Sequence, residues 1–202
     1  MLSEGYVNME INEKSSVRER IIDAAWKLFL EQGYKQTTVN QIIETSQTSR
    51  GSFYHHFHGK EEVLFCIAYY FDIDYVNWLN TVDPNLKALD KLLEFNLFVM
   101  RNLEDSPYRP LLATLYGLQV MTTGMRHIIN PEREYYKIIS SLMKEGIDNG
   151  EIKTSLSYLQ LTEWYAIIER GLTYDWCLNQ GRYSIIQYGQ SMIKAFINMI
   201  KA

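Results

Sequence analysis

Apolar residues along this chain recur at three- and four-residue steps almost throughout, the period of amphipathic helices rather than of strands. Ser16-Val-Arg-Glu19 reads as a capping box opening a first helix, in which Ile22, Ala25 and Phe29 recur with Ile21 and Leu28 beside them. Gly33 ends that helix, being free to take positive φ. A second box, Thr38-Val-Asn-Gln41, opens a short helix with Val39, Ile42 and Ile43 facing inward. The polar break Thr45-Ser-Gln-Thr48 precedes an N-cap at Ser49. A third helix then runs through Arg50, Gly51, Ser52, Phe53, Tyr54 and His55, before Phe57 and Gly59 end it. Gly59-Lys60-Glu61-Glu62 begins a fourth, with its acids in the first turn where the helix dipole favours them.

Three short helices within about fifty residues, two of them joined by a tight turn, form a helix-turn-helix unit. Gly51 costs its helix roughly 1 kcal/mol against alanine. Two readings explain it: a close external backbone such as DNA, or tight packing on the second helix.

Beyond Gly59 the spacing predicts longer helices: Val63 to Trp78, stopped by Asp83-Pro84; Asn85 to Leu103, broken at Asp105-Ser-Pro107; and Tyr108 to Thr122. Asn130-Pro131 opens another that reaches the Asp148-Asn-Gly150 turn. The last two are Leu156 to Asn179 and Tyr183 to Lys201. No repeat or low-complexity linker interrupts them. The expected layout is a head over residues 1–60 and a body over residues 61–202, joined through the fourth helix.

Composition is that of an ordinary globular chain, with 47% hydrophobic and 22% charged residues and only four prolines. No run is long and apolar enough for a membrane span, and the first sixteen residues have neither the basic start nor the apolar core of a signal peptide, so a cytoplasmic protein is expected. Cys66 and Cys177 match no ligand spacing and read as reduced thiols. The net charge of −4 argues at first against nucleic acid. Residues 1–60, however, carry seven Lys/Arg and seven Asp/Glu, so the whole deficit lies in the body. His55, His56 and His58 lack a nearby carboxylate or cysteine at ligand spacing, so no metal is expected. No nucleophile-base spacing or phosphate loop appears around them or Glu169, so no enzyme, and no cofactor, is expected.

The run IIDAAWKLFLEQGYKQTTVNQIIETSQTSRGSFYHHFHGKEEVL resembles the TetR family of bacterial regulators. Ala25, Phe29, Gly33-Tyr34, Thr38-Val39, Ile42, Ser49-x-Gly51, Phe53-Tyr54-x-x-Phe57 and Lys60-Glu-Glu-Val-Leu64 carry the likeness. The sequence departs from the family at Gln47 and Thr48, where a glycine and a small apolar residue are usual. The resemblance implies an all-α fold: a three-helix helix-turn-helix domain joined through helix four to a larger helical bundle that binds a ligand and dimerises. It places helix three in the major groove of double-stranded operator DNA. Ser49, Arg50 and Ser52 would then reach bases, and Gly51 would allow close approach. Thr38, Tyr54, His55 and Lys60 would clamp phosphates.

The body offers hints. Tyr69, Trp78, Phe98, Tyr116, Met121, Tyr136, Trp164 and Ile168 are the pocket candidates, suited to an apolar or aromatic effector. Glu163, Glu169 and Asp175 are the acids best placed to pair with a cationic one. Leu161, Trp164, Tyr165, Ile168, Leu172 and Trp176 repeat at helical steps, as do Ile185, Tyr188, Met192 and Phe196. The two faces are expected to form a homodimer seam, bringing two heads to successive grooves of a pseudo-palindromic operator. The expected function is a repressor released by its effector. An activator, or a regulator answering to a protein partner without a small-molecule ligand, is the alternative.

Overall fold

A computed structural model describes residues 16–202; the N-terminal run read above for a signal peptide lies mostly outside the described residues. The elements are α1 (Val17–Gln32), α2 (Val39–Thr45), α3 (Arg50–His56), α4 (Lys60–Thr81), α5 (Ala88–Glu104), α6 (Arg109–Met121), a 3-10 turn (His127–Ile129), α7 (Glu134–Asp148), α8 (Tyr158–Leu178) and α9 (Ile185–Ile200). Among the described residues the fold is all-helical apart from one isolated bridge, Ile152 to Lys201.

Packing divides the chain into two compact units. The first holds residues up to Ala68 together with Pro107–Ile128, the second Tyr69–Ser106 and Ile129–Ala202. This differs from the expected boundary at residue 60 because α6 belongs with the head. Trp26 on α1 donates from Nε1 to the Val63 carbonyl at 3.0 Å, and its ring meets Tyr108 edge-on at 4.7 Å.

Within the first unit α1 is the floor. Its capping box forms on both sides: Ser16 Oγ accepts from Glu19 N–H, and Glu19 takes the Ser16 N–H at 2.7 Å. Ile21, Ala25, Trp26 and Phe29 are buried, and α1 packs against both α2 and α3. α2 closes the same kind of box at Thr38 and Gln41 but fully buries Ile42 alone; Val39 and Ile43 are half-buried.

The second unit is a bundle of α5, α7, α8 and α9 with the C-terminal part of α4. Two of its helix starts differ from expectation. α5 begins at Ala88 rather than Asn85, because Glu151, far along the chain, accepts the N–H groups of Ala88 and Leu89 at 3.1 and 3.2 Å. α7 begins at Glu134, since Asn130-Pro131 makes a turn in which Asn130 Oδ1 accepts the Glu132 N–H at 3.0 Å. Cys66 and Cys177 are half-buried and form no disulfide among the described residues.

Candidate nucleic-acid interface and the body core

The local sequence turns one face of α3 inward and the opposite face out. Phe53 is fully buried and Phe57 nearly so, with the Arg18 guanidinium of α1 lying 5.4 Å over the Phe57 ring. Arg50, Gly51, Tyr54 and His55 are exposed on one side of α3 at steps of one, three and four residues, and the exposed N-cap Ser49 precedes them. Ser49 caps the helix, its Oγ accepting the Ser52 N–H at 3.0 Å and sharing a proton with Ser52 Oγ at 2.8 Å. The Arg50 guanidinium stands 5.8 Å over the Tyr54 ring, which pre-orders the long side chain along the outer face. A Cβ built on Gly51 would meet only Ser49 Oγ, at 3.8 Å. Packing on α2 therefore does not explain this glycine; its open side faces outward.

The connection into α3 carries the departure noted in the sequence. Gln47 sits at φ 52°, the left-handed region that glycine adopts without steric cost. Thr48 is half-buried, and its hydroxyl is satisfied by Ser46 Oγ at 2.9 Å.

Two expected phosphate clamps are occupied inside the chain. Lys60 Nζ donates to the carbonyls of Tyr34 and Thr37, both at 2.7 Å, and lies 4.4 Å over the Tyr34 ring. Its ammonium ties the α1–α2 connection to the start of α4. The Thr38 hydroxyl donates to Gln41 Oε1 at 3.0 Å within its capping box. His58 pairs with Glu62 through Nδ1 at 3.1 Å, while His55 and His56 stack edge to face at 4.9 Å.

The expected dimer seam needs correction. Leu161, Tyr165, Leu172, Trp176, Ile185 and Phe196 are at most 5% exposed and pack within the chain's own core. Their periodicity marks the inward face. Of the ten seam residues, Trp164, Tyr188 and Met192 are exposed and Ile168 is half-buried. The outward stripes are Trp164, Ile167, Gly171, Tyr174 and Leu178 on α8, and Tyr188, Met192, Ala195 and Met199 on α9. Each follows the three- and four-residue steps of a continuous apolar face.

The effector candidates also scatter. Tyr116 and Met121 belong to α6 in the first unit, Met121 being 72% exposed. Trp164 faces outward at 45% exposure. Trp78, Phe98 and Tyr136 remain in the second unit's aromatic core, Trp78 packing on Phe95 at 4.8 Å and Phe98 at 6.4 Å. Tyr69 lines a cleft of about 270 Å³ with Asp72, Ile73, Val76, Glu132, Arg133 and Glu134. At its base Arg133 and Asp72 form a two-pronged buried ion pair at 2.8 and 3.0 Å. Sequence reasoning missed Asp72, Arg133, Asn96 and Tyr135, because their partners lie 34 to 73 residues away.

Comparison with known proteins places this geometry. Residues 21–66 match the model of the bacterial regulatory proteins of the tetR family. Over 191 residues the chain is 25% identical to the "fatty acid metabolism regulator protein" of Bacillus subtilis (strain 168), covering 90% of this chain and 94% of that one. It is 27% identical over 141 residues to the "HTH-type transcriptional regulator QacR" of Staphylococcus aureus, covering 67% and 73%. Among solved structures, Thermus thermophilus FadR, a TetR-family transcriptional repressor in complex with lauroyl-CoA, superposes with a TM-score of 0.73 at 17% identity, over 90% of this chain and 93% of that one. FadR from Bacillus subtilis in complex with stearoyl-CoA gives a TM-score of 0.70 at 21% identity, over 90% and 98%.

Proposed function

We propose that this chain, whose residues 21–66 match the model of the bacterial regulatory proteins of the tetR family, is a cytoplasmic, homodimeric repressor of that family that binds a pseudo-palindromic operator and leaves it when a small-molecule effector binds. The outer stripe of α3 carries this reading. It presents an arginine, two serines and a bare glycine on a short helix whose opposite face is locked into the core. That stripe suits the major groove, where a guanidinium forks onto the two acceptors of guanine. Arg50 is the base reader, with Ser49 and Ser52 beside it and Gly51 leaving room for the DNA. Tyr54 and His55 hold phosphates. Lys60 and Thr38 act as positioning residues, since their polar atoms fix the loop ahead of α2.

The outward apolar stripes of α8 and α9 are the proposed two-fold seam, replacing the inward residues first expected there. Continuous exposed apolar faces of this kind mark association sites. Effector and operator then oppose each other through one coupling free energy. Two similar structures hold a long-chain acyl-CoA, which makes that thioester the reference ligand.

Selection of bound sequences from random duplex tests the reading. The expected result is a pseudo-palindrome whose half-sites lie one helical turn apart, bound by a dimer in sedimentation. Met192→Glu should yield monomers with weakened operator binding. Recovery of no enriched sequence, or of a single asymmetric site bound by a monomer, overturns it.

A further inference from the structure

The turn behind the reading helix closes on one carboxylate. Only Phe57, His58 and Gly59 separate α3 from α4. Glu62, in the first turn of α4, accepts the His58 N–H at 2.8 Å. The His58 imidazole returns to the same group, its Nδ1 standing 3.1 Å from both oxygens. A second imidazole comes from a distant part of the first unit. His127, in the 3-10 turn after α6, packs its ring on Phe65 at 5.2 Å. Glu62 and Phe65 lie three residues apart on the same side of α4. Two of the chain's four histidines therefore flank one carboxylate.

The other charged groups around Glu62 are engaged elsewhere. Arg18 of α1 donates to Cys66 Sγ at 3.2 Å, and the Cys66 thiol donates to the Glu62 carbonyl at 3.4 Å. Burial pushes that thiol up, so it stays neutral. Lys60 serves the Tyr34 and Thr37 carbonyls, and Glu61 lies beside Tyr34. Burial also pushes the Glu62 carboxyl up, but the hydrogen bonds from His58 and the charges of His58 and His127 outweigh it and hold the group below its ordinary range.

Closing the turn needs only an acceptor. Gln41 performs that task for the Thr38 N–H at 2.8 Å without any charge. A carboxylate adds something only where a cation faces it, and an imidazole becomes one between about pH 8 and pH 5. Glu62 stays ionised over that range, so protonating both histidines takes the local charge from −1 to +1. The neutral rings keep at most a hydrogen bond; the charged ones are drawn to the carboxylate from two sides.

We propose that Glu62, His58 and His127 form a proton-operated latch that ties the turn after α6 to the α3–α4 turn, closing in acid and strengthening operator binding. This rests on α3 being the reading helix. The protons leave the shape of α3 alone, since its cap and its buried Phe53 do not titrate. They set the grip on the turn behind it and place positive charge there, His58 being 91% exposed, which favours a polyanion. An exposed pair shifts an equilibrium by about two- to threefold, so the response is graded.

Operator affinity at pH 5 and 8, at fixed salt, tests this on the selected duplex with wild type, Glu62→Gln, His127→Gln and the double variant. Wild type should bind roughly threefold tighter at pH 5. Each single exchange should remove part of that gain, and the double exchange no more than the larger single one. Denaturant unfolding of the same four proteins reads the latch without DNA. Glu62 and His127 should be coupled about twofold in the unfolding constant at pH 5 and uncoupled at pH 8. Glu169, buried on α8, accepts from the Tyr135 hydroxyl at 2.6 Å, and burial pushes its carboxyl up to about 7. It titrates in all four proteins and cancels from the cycle. Additive exchanges at pH 5, or a coupling that persists at pH 8, overturn the latch. Operator affinity whose pH dependence survives both exchanges overturns it too, while keeping the reading head. Coupling in unfolding with no enriched duplex upholds the latch and removes the operator reading instead.

Discussion

In the first unit the polar side chains on and around α3 stand on the surface and are held by neighbours three or four residues away, Lys60 at the start of α4 being the exception. In the second they are buried and held across 34 to 94 residues. Ser49, Thr38 and Arg50 take their partners from their own helix or its cap, whereas Asp72, Glu169 and Asn96 take theirs from other helices. A surface arranged by local bonds keeps its shape whatever happens elsewhere. A core arranged by long-range polar bonds changes when one partner changes its charge. The first suits a fixed reading head, the second a responsive body.

The contrast is broken most forcefully at Asp72. Asp72→Ala leaves the Arg133 guanidinium buried without its carboxylate, which costs about 3–5 kcal/mol. Denaturant unfolding should show that loss, while Asp74→Ala, an exchange at a half-exposed neighbour, should cost far less. Equal losses would mean that the buried pair has no special weight.

Next comes the pH response of the body. The unfolded Glu169 carboxyl titrates near its ordinary 4.5 and the folded one near 7, so the native state binds the extra proton between them. Stability should therefore fall as pH rises from 4.5 to 7 and level off above, by on the order of 3 kcal/mol. Glu169→Gln should lack this fall. Unfolding free energies at pH 5 and 8 for both proteins check it, and parallel curves would remove Glu169 as the source.

Arg50→Ala tests the head. It should relax preference at one base position by roughly 1–3 kcal/mol with stability unchanged. Lys60→Met should instead lower the melting temperature and leave the salt dependence of operator binding alone, because its ammonium is spent on the Tyr34 and Thr37 carbonyls. A flattened salt slope would restore Lys60 as a phosphate clamp. The smallest effect belongs to Gln47→Gly, which relieves the left-handed backbone and should stabilise by up to about 1 kcal/mol without changing operator binding.

The same local-versus-distant difference explains what could be read beforehand. The boxes at Ser16 and Thr38, the Gly33 stop and the inward Phe53 and Phe57 were legible because each is decided within four residues. A third box at Ser157 and Gln160 has the same spacing and was open to the same reading. The start of α5 was not legible, since Glu151 caps it from sixty-odd residues away. Periodicity identified the apolar faces of α8 and α9 but not which face looks outward. Tyr165 and Trp164 differ by one position and by nearly half their surface. That choice is made by the helices packed against them.

The paired hydroxyls at the start of α3 limit how much that helix can say. Ser49 and Ser52 have two protons between them, and one is spent on the bond that joins their oxygens. A single hydroxyl proton is left to face outward, beside lone pairs already reduced by the Ser52 N–H. The two serines therefore speak as one donor, and a half-site readable through them carries one letter's worth of discrimination rather than two.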